Sequence, residues 1–277
     1  MFREQLFNTG ELHLNYAEGP DSGPPILFLH GLSARWQEYQ PLMTRLTRHG
    51  HVYAPDLRGH GRSGRGQQYL VADYRRDIAI FLQKLVAEPA IVVGHSWGAL
   101  TALAVAAAVP EQVRGLIMLD PPLCSREIPL NNLPHIHGWL TWIFNMAVAK
   151  RPLPQIAVSL KQMMPELDDA AVMLLAESAA SMDPEAVAVV LNGQTLAGFD
   201  FAGAFAQVQS PTLLLHGSWQ HGAVVRDEDA AFAQAHLHNA TIVKVDEAGH
   251  ELHEEKPAEV WQHIEQFLQT HAIIAEG

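Results

Sequence analysis

The sequence predicts an α/β protein: a mostly parallel, doubly wound sheet with a helical insertion between two late strands. Three observations predict it. Short runs apolar on both faces recur along the chain and end in turn residues, as strands buried in a parallel sheet do. Longer stretches with apolar residues at helical spacing separate them. The interval 121–207 breaks this alternation, holding helical stretches and no convincing strand.

In chain order, LHLNYA (12–17) alternates apolar and polar residues as a half-buried strand does. PILFLHG (25–31), HVYAPD (51–56), AIVVGHS (90–96) and VRGLIMLD (113–120) read as buried strands. Helices are predicted between them over 73–88 and over 97–110, the second stopped by Pro110. Inside the insertion, 137–149 and 185–197 carry helical patterns. PTLLLHG (211–217) and ATIVKVDE (240–247) return to strand, and a last helix covers 258–271. Residues 1–120 and 208–277 thus form the expected core domain, and 121–207 the inserted unit.

Composition narrows the function. With 48% hydrophobic and 17% charged residues, the 277-residue chain can bury a substantial core. Its net charge of −12 disfavours a nucleic-acid partner, which needs a concentrated basic face. The single cysteine, Cys124, permits no intrachain disulfide and suits a reducing compartment. MFREQLFNTG (1–10) carries an acid and an amide where a signal peptide needs an apolar core. The longest apolar run, 99–109, is too short to cross about 30 Å of hydrocarbon. A cytoplasmic protein with no membrane partner is expected, its oligomeric state left open.

The chemistry centres on VVGHSWGAL (92–100). A predicted strand leads into Gly94-His95-Ser96-Trp97-Gly98 and a predicted helix leads out. Glycines on either side allow a sharp turn that lifts the Ser96 hydroxyl above the sheet, and the helix N-terminus favours negative charge beside it. A serine nucleophile needs a base, because its hydroxyl is almost wholly protonated at neutral pH. HELHEE (250–255) spaces its histidines three apart rather than the four of a zinc helix, and RGHGRSG (58–64) lacks the Lys-Ser/Thr of a phosphate loop. Neither metal nor other cofactor is expected, and RGHGRSG reads as a solvated loop.

Four motifs in order, ILFLHGL (26–32), APDLRGHGRSG (54–64), VVGHSWGA (92–99) and DEAGHELHEEKP (246–257), resemble those of the α/β-hydrolase superfamily, serine-hydrolase branch. The resemblance implies Ser96 as nucleophile and His250 as base, with His253 the fallback. It implies backbone N–H groups of Leu32 and Trp97 as the oxyanion hole, and His30 as a turn-stabilising residue at the pocket's edge. Many relatives carry an acid in the turn after PTLLLHG, but Ser218 and Gln220 stand there in this chain. Asp120, at the end of the preceding strand, is the expected substitute and keeps the order Ser, Asp, His; Asp227, Asp229, Asp246 and Glu247 are weaker candidates. The insertion is expected to act as a cap, with Trp139, Trp142, Phe144, Met146, Met163 and Met164 available for a substrate pocket or for the cap's own core.

The implied reaction is hydrolysis of a small or medium carboxylic ester, the partner being a small apolar ester or ketone. Carbon–carbon cleavage β to a ketone, lactone hydrolysis and peroxyacid formation are alternatives for the same residues. A serine rather than an aspartate at the elbow disfavours dehalogenase and epoxide-hydrolase chemistry. Trp97 resembles the elbow of proline iminopeptidases, but their His-Gly-Gly-Pro-Gly loop is absent: His30-Gly31 precedes Leu-Ser-Ala. From another class, a hydrolase-fold receptor for a small apolar ligand also fits the missing acid.

Overall fold

Alternation of side chains along the strands builds the molecule. In the computed structural model, which describes residues 1–271, strands β1 (Arg3–Asn8), β2 (His13–Glu18), β3 (Pro25–Leu29), β4 (His51–Pro55), β5 (Ala90–His95), β6 (Val113–Leu119), β7 (Thr212–His216) and β8 (Ala240–Lys244) form one sheet. Their spatial order is β1-β2-β4-β3-β5-β6-β7-β8. The pairs β1–β2 and β2–β4 are antiparallel, and every pair from β4 to β8 is parallel. Leu27, Leu29, Val92, Met118 and Leu214 face one apolar core, while Ile26, Phe28, Val93, Ile117 and Leu215 face the other. A period of two that is apolar on both sides requires helices on both faces.

The helices supply those layers. They are α1 (Gln40–Leu46), α2 (Val71–Phe81), α3 (Trp97–Ala108), α4 (Pro134–Val148), α5 (Leu153–Met163), α6 (Asp169–Ser181), α7 (Pro184–Leu191), α8 (Phe201–Gln207), α9 (Asp227–His236), α10 (Leu252–Glu255) and α11 (Pro257–Thr270). One core gathers side chains of α2, α3 and α8 with the buried faces of α4 to α7, and the other gathers α1 and α11. The stretch between β6 and β7 is helical, as expected, and it is tied to the sheet-end loops by side chains. The Trp139 indole N–H donates to Ser33 Oγ at 3.0 Å, and Arg35 donates to Ser178 and Glu177 at 3.1 and 2.7 Å.

Two elements differ from the sequence reading. Strand β1 falls in the stretch read only for a leader; it is an exposed, charged edge strand whose partner is β2, so no buried apolar run announces it. The helix expected over 185–197 stops at Leu191, because Gly193 takes a left-handed φ of 67°.

The order of the strands creates the site. From β3 the chain moves outward to β4, then returns across β3 to β5, so the loops after β3 and β5 open apart at their carboxyl ends. Leu29 pairs with Gly94 and His95 with Leu119, which sets residues 30–33, Ser96 and Asp120 side by side.

The loop RGHGRSG is not the solvated loop that its arginines suggested. Arg58 and His60 are fully buried, and only its later residues reach solvent. The Arg58 guanidinium donates two parallel hydrogen bonds to the Asp77 carboxylate, at 2.7 and 2.8 Å, and a third to the Gln68 carbonyl. Planar two-point pairing compensates the burial of both charges. His60 donates to the Arg58 carbonyl through Nδ1 and accepts the Ser33 N–H at Nε2, so this loop braces the one after β3. Replacing Arg58 with Ala strands the Asp77 carboxylate in the core. Urea unfolding of that variant is expected to show a loss of about 3–5 kcal/mol; a change below about 1 kcal/mol would show the pair to be dispensable.

Candidate active site

Backbone strain marks the centre of the site. Ser96 sits between β5 and α3 at φ 53°, ψ −119°, a conformation that side chains rarely adopt and that persists only when the surroundings enforce it. A Cβ built on Gly98 would lie 2.1 Å from the Leu29 carbonyl oxygen, and one on Gly94 would lie 2.4 Å from the Gly98 oxygen. The glycines therefore let α3 press onto β3 and β5, and the turn between them has no slack. The Ser96 N–H is held by the Leu119 carbonyl at 2.9 Å, which fixes the turn against β6.

Three predicted residues meet across 154 positions of sequence. His250 Nε2 lies 2.9 Å from Ser96 Oγ, and His250 Nδ1 lies 2.6 Å from Asp120 Oδ2. With the imidazole neutral, Nδ1–H donates to the carboxylate and Nε2 accepts the serine hydroxyl. Burial alone would push the His250 pKa down, but the Asp120 hydrogen bond and charge outweigh it and hold the pKa above its ordinary value.

Asp120 is fully buried, at φ 41° just beyond β6. It also accepts the Gly217 N–H at 3.3 Å and the Val224 N–H at 2.9 Å. The turn after β7, where Ser218 and Gln220 replace the usual acid, thus contributes donors that hold Asp120 instead. Of the other acids considered, Asp229 pairs with Arg226 and Arg126, Asp227 with Lys244 and Glu247 with Lys256, while Asp246 is exposed; none bonds His250.

The N–H groups of Leu32 and Trp97 have no protein acceptor among the described residues, and both residues line the cavity above Ser96. The loop carrying Leu32 is pinned on both sides. His30 Nδ1–H donates to the Gly31 carbonyl at 2.7 Å, and its Nε2 accepts the Leu57 N–H at 2.9 Å. Burial lowers the His30 pKa to about 4 and that of His60 to about 3, so both stay neutral acceptors near neutral pH.

A second chain of bonds, missed in the sequence reading, links the same segments from behind. The Gly31 N–H donates to the Tyr39 hydroxyl at 3.1 Å, and that hydroxyl donates to His95 Nδ1 at 2.8 Å. His95 Nε2–H then donates to the His250 carbonyl at 2.9 Å. His95 stands in the quoted elbow itself, but nothing in its spacing shows that Tyr39 and the His250 backbone lie on either side of it. His253, the fallback base, stacks on Tyr39 at 5.0 Å and bonds neither Ser96 nor Asp120.

The cavity has a volume of about 450 Å³, with Ser96 and His250 in its wall. Of the side chains assigned to a pocket, Trp139 and Met164 line it, and His30, Trp142, Phe144, Met146 and Met163 do not. His30 is consumed by its two loop bonds. Trp142 stacks behind Trp139 at 5.2 Å and donates its indole N–H to Ser159. Phe144 and Met146 pack into the helical core from the far half of α4, and Met163 is exposed. Only the first turns of α4, through Ile136, Trp139 and Leu140, face the cavity.

His95, Glu251 and His253 place potential metal-ligating atoms within 4.8 Å of one another, a grouping that the three-residue spacing of HELHEE does not reveal. The His95 Nε2 hydrogen is already given to the His250 carbonyl, so that nitrogen offers no free lone pair.

Comparison with known proteins agrees with this architecture. The chain is 38% identical over 120 residues to 2-(acetamidomethylene)succinate hydrolase of Mesorhizobium japonicum, an alignment that spans 43% of each chain. It is 28% identical to the AB hydrolase superfamily protein YfhM of Bacillus subtilis, over 96% of this chain and 98% of that one. The crystal structure of E-2-(acetamidomethylene)succinate hydrolase matches with a TM-score of 0.76 at 25% identity, covering 97% of this chain and 100% of that one. The family model described as serine aminopeptidase, S33, matches residues 24–257. The chain belongs to that family, and with it to the serine hydrolases of α/β-hydrolase fold.

Proposed function

We propose that this hydrolase cleaves small or medium carboxylic esters through an acyl-enzyme, with the helices between β6 and β7 as a cap over the site. The observation that carries the reading is the unbroken chain from Ser96 Oγ through His250 to Asp120 at the wall of a largely apolar cavity. Ser96 Oγ attacks the carbonyl carbon as His250 Nε2 takes its proton, and Asp120 keeps the imidazole in the required tautomer and steadies its positive charge. The Leu32 and Trp97 N–H groups receive the oxyanion. His250 returns the proton to the leaving alkoxide, and water repeats the sequence to free the acid.

Peptidase action is not carried over from the family's description, since the loop after His30 has Leu32-Ser33 where iminopeptidases have an extended glycine-rich segment. The succinate in the name shared by one relative and one solved neighbour is likewise not carried over, because the identity is 25% where 97% of the chain is matched and the 38% alignment covers 43% of each chain. Lactone or carbon–carbon cleavage by the same residues is the second reading; solved neighbours titled as an N-acyl homoserine lactone degrading enzyme and an enol-lactonase share the fold with this chain.

Hydrolysis of p-nitrophenyl esters from acetate to decanoate, with Ser96→Ala as the blank, tests the reading. Turnover that disappears in the blank supports it; no turnover above the blank at any chain length rejects it. Asp120→Asn is expected to lower kcat by about 10⁴-fold. His250 must be unprotonated to act, and its pKa lies above the ordinary 6.5, so the acid limb of kcat/KM is expected above pH 6.5. Removing the Asp120 charge leaves burial opposed only by the smaller effects of Glu251 and Glu255, so the residual activity of the variant should show its acid limb at lower pH. An unshifted limb would mean that Asp120 does not act on His250.

A further inference from the structure

Apart from His250, the ionisable groups in the cavity wall that can carry charge near neutral pH are carboxylates. On the side next to Ser96 the wall includes Glu38, Tyr39, His95, Glu251, His253 and Glu254. Glu251 Oε2 is 3.8 Å from His95 Nε2, on the residue that precedes Ser96, so this acidic wall adjoins the reacting centre. Among the described residues no lysine or arginine lines the cavity. Arg35 follows the lining residue Ala34 but does not line the cavity itself, and its guanidinium is committed to Ser178 and Glu177.

The histidines do not make up the deficit. Burial holds His95 well below its ordinary pKa and His253 at about 3, and it lowers His135 as well, so these three are neutral near pH 7. His250 alone is raised; its Nδ1 is paired with the Asp120 carboxylate, which offsets charge on the ring, and its Nε2 is taken by Ser96 Oγ. Burial lifts Glu38 to about 7 and raises Glu254, which keeps part of the acidic wall protonated near neutral pH; it supplies no cation in either form. The other side of the cavity is apolar, formed by Leu130, Ile136, Trp139, Leu140, Leu167 and Leu175.

Building on the ester-hydrolase reading, we infer that this cavity selects substrates without negative charge and excludes those bearing a free carboxylate. An anionic group entering it exchanges water for apolar side chains or for carboxylates of its own sign, with no cation to receive it. The protein's net charge of −12 adds repulsion at longer range. An uncharged acyl chain loses nothing by the same transfer and gains the apolar wall.

A pair of substrates differing only in that charge tests the inference: methyl p-nitrophenyl adipate, and the mono-p-nitrophenyl ester of adipic acid with its far carboxylate free. After subtraction of the Ser96→Ala rate, kcat/KM is expected to be at least about 100-fold higher for the neutral diester. The exposed pair Glu251→Gln and Glu254→Gln, combined, should narrow that ratio by about tenfold. Hydrolysis of the anionic ester within threefold of the neutral one overturns the inference, as does a ratio that the double variant leaves unchanged. Should neither ester be turned over, the ester-hydrolase reading fails. The charge preference is then read from calorimetric binding of dimethyl and monomethyl adipate to Ser96→Ala, where tighter binding of the neutral diester upholds the inference, and equal or tighter binding of the monoanion overturns it.

Discussion

The close approach of Gly98 to the carbonyl of Leu29 is the constraint on which the rest of the structure depends. With no side chain between them, α3 lies directly on β3 and β5, and the turn joining β5 to α3 must pass through the strained conformation of Ser96. Strain of this kind relaxes unless the neighbourhood forbids it. Here the Leu119 carbonyl holds the Ser96 N–H and Trp97 is buried, with its ring against Tyr74 at 5.5 Å, so the serine is presented at the sheet's edge in one orientation.

Around that turn the molecule spends its buried polar groups on loops. Three histidines and a tyrosine join segments distant in sequence. His30 and His60 connect the loop after β3 to the loop after β4, and Tyr39 with His95 connects both the Leu32 loop and the elbow to the backbone of His250. These groups are neutral and fully hydrogen-bonded, apart from the open edge of the cavity, so they add rigidity without the desolvation cost of charge. The one buried ion pair of this region, Arg58 with Asp77, secures the loop from outside. In the proposed reaction, rigid backbone at the carboxyl ends of β3 and β5 would let two peptide N–H groups receive an oxyanion, because donors that must reorganise stabilise little.

The placement of Asp120 shows how a sheet can replace one acid with another. Strands β6 and β7 are neighbours in register, so their carboxyl ends lie at the same level, and a carboxylate from either can reach the same imidazole. With the carboxylate at the end of β6, the turn after β7 is free to donate its Gly217 and Val224 N–H groups, which fix Asp120 in direction.

Much of this was legible in the sequence. Runs apolar on both faces named the parallel strands, and the order of four short motifs named the elbow, the oxyanion loop and the histidine, because each of these depends on local turn chemistry that glycine and proline reveal. That Asp120 would stand beside His250 was expected from the family resemblance, once Ser218 and Gln220 were seen to offer no acid. Other features depended on contacts that no local pattern encodes. Strand β1 exists because β2 offers an edge, Arg58 is buried because Asp77 waits a helix away, and His95 bonds Tyr39 and His250 through a fold that brings residues 39, 95 and 250 together. The pocket was the least legible part. A helix such as α4 presents apolar residues all round, and only its packing decides that Trp139 faces the cavity while Phe144 and Met146 face the core. Sequence by itself therefore determined the fold and the hydrolase family, which rest on backbone geometry and short-range spacing; the tertiary structure alone decided the shape and charge of the cavity, which depend on which faces of distant segments come to meet.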